Sequence, residues 1–357
     1  KNKLKPILMT LINSNKISFK NSKKAYFNEK FIIYLFSLLP ISLILGNTII
    51  NLNILIIDLF FLFTCYHQKK WSWIKNKYLY FFIFIWIYLI LNSVTSTDTA
   101  RNFFDHIEGR EAYSQIESIK RSVPFIKFVI FLFAVQYFFT NSKKAFNQIF
   151  LYWSMIVFIV LVDIIFERIF GFNSLGFKSL YSYRIVSFFK DELVVGGFIL
   201  GFSFLISGFL FKLTKNDTVK KIFPSIFFCL SIICIYLSGE RSNFIKALIV
   251  VSIILLLIND VYFYIKKKYI FLFIIIGIAL PTLISKDIYS RQIGFFQRIQ
   301  LYDQGSIYER FGHLRHFAHY ETAWQIFKDY PIFGIGNSKF RYICHDKKYF
   351  NSENKYQ

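Results

Sequence analysis

The chain has 357 residues, 55% of them hydrophobic, a mean hydropathy of +0.44 and a formal net charge of +22. That balance excludes a soluble globular domain and points to an integral membrane protein. The charge is scattered between apolar runs and gathers on no single basic face, which argues against nucleic acid as a partner. Lys, Asn, Ile, Phe and Tyr are abundant together, the mark of AT-rich coding, so part of the Lys excess carries no functional meaning.

Residues 1–30 hold eight Lys and one acid and read as a basic tail without the pattern of a signal peptide. Apolar runs follow at about 31–47, 49–66, 78–95, 122–139, 149–166, 193–211, 222–238, 243–259 and 269–285. Each is long enough as a helix to cross a hydrocarbon core of about 30 Å at about 1.5 Å per residue. The expected fold is therefore all-α: a bundle of about nine transmembrane helices over 31–285, preceded by the tail and followed by a loop domain at 286–357. The first two runs turn tightly at Gly46-Asn47-Thr48.

Charge sets the expected orientation. With the tail in the cytoplasm, the inner segments carry 21 Lys, no Arg and 3 acids, whereas the outer ones carry 20 Lys or Arg against 16 acids. Cytoplasmic loops collect basic residues, so this alternation favours an inner tail and an outer, periplasmic face for 96–121, 167–192, 239–242 and 286–357. Every Arg of the chain then lies on or at the edge of the outer face. Arginine forms paired, planar hydrogen bonds to phosphate that lysine cannot copy, although outer loops that merely avoid Lys would look the same.

Cys65, Cys229 and Cys234 lie in apolar runs and read as packed thiols, and Cys344 alone is in a polar stretch, so no disulfide or zinc site is expected. Asp58, Asp163 and Glu167 are acids in or at the ends of spans. Asp163 and Glu167 share a helix face, which fits a proton path or, with Arg168 beside Glu167, local pairing.

Three stretches carry candidate chemistry. Arg184 to Leu193 brings an Arg and the Phe188-Phe189 pair to the head of a span. Asp191 and Glu192 suit its helix start. Ser238-Gly239-Glu240-Arg241-Ser242 is a very short loop that pins Arg241 at the membrane surface, with Lys246 a turn into the next span; the plain alternative is a pair of interfacial anchors. Ser306 to Arg341 reads as an amphipathic helix stopped by Asp329-Tyr330-Pro331, then a tight turn at Gly334 and Gly336. Its His313, His316 and His319 recur every third residue. They spread over an arc and do not converge as metal ligands, but any one titrates near neutral pH and suits a general base or a phosphate contact.

RIVSFFKDELVVGG at 184–197, YLSGERSNFIKAL at 236–248 and HFAHYETAWQIFKDYPIFGIGNSKFRYIC at 316–344 together resemble the O-antigen ligase and polymerase superfamily of bacterial cell-envelope proteins. The resemblance covers roughly 184–345. It implies a glycosyltransferase of the bacterial inner membrane, with its active face in the periplasm and no metal or nucleotide cofactor. The donor would be a glycan on undecaprenyl diphosphate, and the acceptor lipid A-core or a growing glycan, with membrane lipids as surroundings. Arg241 falls where the family holds the diphosphate, with Arg184, Arg310 and Lys246 as further candidate ligands. Near His316 the family more often has Arg, and here Arg315 is one place away, so His316, His313 and Arg315 are the candidate catalytic groups. Pro331, Gly334 and Gly336 match the family's turn. The family's catalytic histidine follows that turn in a later loop with further spans, so residues 286–357 are expected to be an incomplete catalytic loop, and residues 1–357 are expected to bind the lipid-linked donor weakly without turning it over. Ligase is favoured over repeat-unit polymerase and protein O-glycosyltransferase. A transporter of lipid-linked glycan, supported by Asp58 and Asp163, is the rival from another class.

Overall fold

The computed structural model describes residues 29–95, 115–190, 192–214, 222–257, 267–292, 294, 315–337, 339–344 and 348–349. All regular structure among them is helical. In chain order the helices are α1 (Glu29–Ser37), α2 (Leu39–Leu45), α3 (Asn47–Gln68), α4 (Lys77–Thr95), α5 (Gln115–Ser122), α6 (Ile126–Asn141) and α7 (Lys143–Phe170). They continue with α8 (Val195–Leu213), α9 (Ile222–Leu237), α10 (Arg241–Leu257), α11 (Lys267–Ile284), α12 (Lys286–Gln292), α13 (Arg315–Asp329) and α14 (Phe340–Ile343).

Among the described residues, most of each of the nine apolar runs lies on helix. Five helical stretches are long and apolar enough to cross a membrane: Asn47–Gln68, Lys77–Val94, Ser118–Asn141, Lys143–Phe170 and Val195–Leu213. Lys30–Leu45, Ile222–Leu237 and Phe271–Ile284 are apolar but shorter. The reasons for the shortfall are local. The first run is split into α1 and α2 with Pro40 in the first turn of the second piece, where a proline is tolerated only because no intrahelical N–H is needed. α9 has 16 residues, about 24 Å of helix, which is less than the hydrocarbon core of about 30 Å.

α7 is the axis of the bundle. Its 28 residues start at Ser142, whose hydroxyl accepts the Ala145 amide at 3.1 Å, and stop at Gly171 in the left-handed region (φ 78°). An oxygen-bearing N-cap and a left-handed glycine are what helix ends ask for, because they satisfy backbone groups that have no partner within the helix. Ile149, Val157, Val160, Leu161 and Ile164 are almost wholly buried along α7, which packs against α1, α2, α6, α8 and α9. Trp153 fixes α1 by donating its indole N–H to the Phe36 carbonyl at 2.8 Å. The expected hairpin between the first two runs is present at Gly46 (φ 110°), which ends α2 and begins α3. Asp58 is buried on α3, and neither carboxyl oxygen has a hydrogen-bond partner among the described residues.

α13 leads into the Pro331–Gly336 turn, with Gly334 (φ 63°) and Gly336 (φ 100°) both left-handed, as their lack of a Cβ allows. The turn docks on the C-terminal end of α4 and on α5. Tyr88 donates its hydroxyl to the Ile332 carbonyl (2.8 Å), Ser118 donates to the Asn337 carbonyl (3.3 Å), and the Asn337 amide donates to Ser122 Oγ (3.3 Å).

The last described residues fold back on α13. Ile326, Ile343 and Tyr349 form a small buried cluster. Beside it, Asp329 pairs with Lys348 Nζ (2.7 Å) and accepts the Tyr349 hydroxyl (2.5 Å). Lys348, then Tyr349, hold the Asp329 carboxyl below its ordinary value of 3.8. A depressed carboxylate adds stability that is present above the unfolded-state pKa and is lost as pH falls through the folded one. Acidification below about 3.8 is thus expected to loosen this fold-back, and amide exchange at Ile343 and Cys344 should speed up there. In Asp329→Asn the same amides should already exchange faster at neutral pH.

Candidate functional site

The helix ends at one side of the bundle meet on the three-residue turn, Ser238 to Glu240, that joins α9 to α10. Three consecutive carbonyls at the end of α9 and in this turn, which an isolated helix end would leave to water, each have a protein donor. Arg168 Nη2 donates to Leu237 O (2.5 Å), the Ile185 amide to Ser238 O (3.3 Å) and Arg291 Nε to Gly239 O (3.2 Å). Two guanidinium groups therefore occupy the negative end of α9, where the helix dipole favours cations. Gly239 is left-handed (φ 76°), and a Cβ there would collide with the Tyr183 carbonyl and touch Arg184. Only glycine lets the two loops approach this closely.

Glu240 joins this turn to the neighbouring helix. It is 7% exposed, accepts the Gly196 amide at the head of α8 on Oε1 (2.7 Å), and accepts the Asn243 side-chain amide on Oε2. Any side chain at Gly196 would lie 2.7 Å from Ser238 Oγ and 3.0 Å from the Glu240 carboxyl carbon. Glu240 thus ties α8, α9 and α10 together through one carboxylate. Arg241 follows it as the first residue of α10, partly buried. A cation at a helix N-terminus opposes the dipole, and a bound anion would relieve that mismatch.

The loop from α7 to α8 is held by the two acids of α7. Asp163 accepts the Ser174 amide on Oδ1 (2.8 Å) and the Ser187 hydroxyl on Oδ2 (2.6 Å). Glu167 accepts the amides of Val186 (3.2 Å) and Ser187 (2.6 Å). Asn173 closes the knot by donating to the Ser187 carbonyl at 2.5 Å. Ser187 is fully buried with φ 47°, a conformation costly for a residue with a Cβ. Two carboxylates and an amide over-determine it. The expected pairing of Glu167 with Arg168 is thus not the main use of either group: the hydrogen bonds of Glu167 go to the loop backbone, and those of Arg168 to the Ser182 and Leu237 carbonyls.

Among the predicted site residues, the structure brings Arg184 against Gly239, two residues before Arg241. Arg184 packs on Gly239 and donates Nη2 to the Leu193 carbonyl (3.1 Å). Lys246 is exposed on α10. Pro331, Gly334 and Gly336 form the turn described above. Arg315 and His316 open α13, while Arg310 and His313 lie outside the described residues. His319 is half-buried, with its ring against Phe340 (6.3 Å between centroids). No group of three or more His, Cys, Asp or Glu with metal-binding geometry occurs among the described residues.

Arg168, Glu240, Asn243 and Arg291 belong to the site without any motif that assigns them to it. Arg291 also lies over the Tyr183 ring at 4.9 Å. Their one signal in the sequence is the crowding of Arg and Glu around two glycines on helix ends.

No curated protein and no solved structure matches the chain. Residues 226–357 match the family model described as O-antigen ligase. The matched segment includes most of α9, the turn with Glu240 and Arg241, and every helix after it. This match covers a little over a third of the chain; together with the apolar helices it supports a multi-pass membrane protein whose C-terminal part is similar to the O-antigen ligase superfamily.

Proposed function

We propose that the protein moves a glycan from undecaprenyl diphosphate to a hydroxyl of lipid A-core, at the periplasmic face of a bacterial inner membrane. The observation that supports this reading is the packing of Arg184 on Gly239 in the turn between α9 and α10, with Arg241 at the end of that turn inside the matched segment. In the reaction the acceptor oxygen bonds to the anomeric carbon as the bond from that carbon to the diphosphate oxygen breaks. The acceptor proton passes to a base, and the lipid diphosphate leaves with an added negative charge. Guanidinium groups fixed beforehand stabilise that charge at little reorganisation cost. Arg241, Arg184 and Arg310 bind the diphosphate, with Lys246 at the edge. His316 or His313 takes the acceptor proton, and Arg315 lies beside them. This chemistry uses no metal or nucleotide cofactor.

The transporter alternative loses one of its two supports, because Asp163 is engaged with Ser174 and Ser187 in the loop knot. Deleting the gene in its host and resolving the glycans tests the assignment. Finished polymer stranded on the carrier lipid is the expected result. Single repeats on the lipid would make the protein a polymerase, and loss of glycan from proteins alone would make it a protein O-glycosyltransferase. Donor trapped on the cytoplasmic leaflet would make it a transporter and overturn transfer chemistry.

A further inference from the structure

α13 presents three distinct faces. Thr322 and Ile326 are buried, with His319 beside them. Tyr320, Trp324 and Phe327, spaced four and three residues apart, form a separate stripe and are 73%, 57% and 50% exposed. That spacing aligns them on one side of the helix. Gln325 lies on the polar remainder. Trp324 and Phe327 stack with centroids 5.4 Å apart, and Lys328 lies at the rim, 6.0 Å from the Trp324 ring.

The turn at the end of α13 fixes the height of the helix relative to the bilayer. The Ile332 carbonyl in that turn is hydrogen-bonded to Tyr88, and the Phe333 ring stacks on the Tyr88 ring at 6.4 Å. Tyr88 is seven residues before the end of α4, so the turn reaches about 10 Å below the tip of a membrane-crossing helix. α4 is among the least enclosed of the crossing helices, with only 11% of its apolar window buried by the rest of the protein. Among the described residues, most of its apolar surface is therefore left uncovered by the rest of the protein. Ile332 (71% exposed) and Phe333 (44%) extend that exposed apolar surface onto the turn.

We propose that α13 and its turn are an interfacial membrane anchor. Ile332 and Phe333 enter the acyl region beside α4, and the stripe of Tyr320, Trp324 and Phe327 rests in the headgroup boundary. The chemistry matches that boundary: ring faces for the acyl edge, hydroxyl and indole groups for the wet side, and Lys328 for lipid phosphate. The same rings could stack on a sugar chain, but a glycan platform would not require the turn to be sunk along α4. The inference rests on the membrane reading and is independent of the transfer chemistry.

The test uses the full chain in nanodiscs of phosphatidylethanolamine and phosphatidylglycerol, in a Cys344→Ser background, since Cys65, Cys229 and Cys234 are buried. An environment-sensitive fluorophore is placed at Tyr320→Cys, Phe327→Cys and, as a control on the polar face, Gln325→Cys. Lipids brominated near the carbonyl should remove most of the emission at the first two positions and little at the third. Emission from all three that is unmoved by brominated lipid would overturn the anchor. Emission that instead changes at 320 and 327 on adding soluble oligosaccharide would reassign the stripe to glycan binding. Equal quenching at all three positions would also reject the oriented anchor.

Discussion

In the complete protein, Arg241→Lys is expected to lose transfer activity by about two to three orders of magnitude, the usual cost of removing one group that stabilises developing negative charge. Charge is conserved in this substitution, so the loss isolates geometry. A guanidinium presents two parallel N–H groups to two phosphate oxygens, whereas an ammonium acts as a point charge on a flexible stem. The surroundings of Arg241 make that distinction sharp. The carbonyls just before it are occupied by Arg168, Ile185 and Arg291, and both oxygens of Glu240 accept from neutral amides. The turn thus has several anchors besides Arg241, and the substitution should leave the fold intact. Donor transfer in proteoliposomes, with expression and monodispersity measured alongside, checks this. Activity within a few-fold of wild type would make Arg241 an interfacial anchor and remove the main support for diphosphate binding.

The helices were legible because an apolar run of some eighteen residues has few other solutions in a membrane. The sharp points were legible too, at Gly46, at Gly334 and Gly336, and in the turn around Gly239. At each of these positions the φ value is one that glycine alone adopts without cost. Partner choice was not legible. Asp163 and Glu167 read as a proton path or a local pair, yet their partners are the amides of Ser174, Val186 and Ser187 and the hydroxyl of Ser187. A backbone N–H is present at nearly every residue and leaves no mark in the sequence. The contact of Tyr88 with Ile332 crosses 244 residues, and that of Arg291 with Gly239 crosses 52. Nothing local encodes either. For the same reason Glu240 read only as one residue of a short loop, although its carboxylate joins three helices.

That carboxylate gives the second large effect. Glu240→Ala removes the acceptor for both the Gly196 amide and the Asn243 side chain, and the site is buried enough that water does not readily replace it. Each orphaned buried donor costs on the order of 1–3 kcal/mol, so the variant should melt several degrees lower. It should also lose transfer activity, because the head of α10, and with it Arg241, is no longer held to α8. Glu240→Gln separates shape from charge. Its amide oxygen can still accept from Gly196, and its NH2 can donate to Asn243 once that side chain turns its oxygen inward. The Gln variant should therefore keep a near-wild melting temperature and most of its activity. Loss in the Ala variant should appear mainly as a raised KM for the lipid-linked donor, the mark of a displaced binding group and not of a missing acid or base. If Gln proves as damaged as Ala, then the negative charge beside Arg241 is what matters, and the view of Glu240 as a geometric tie between α8 and α10 is wrong.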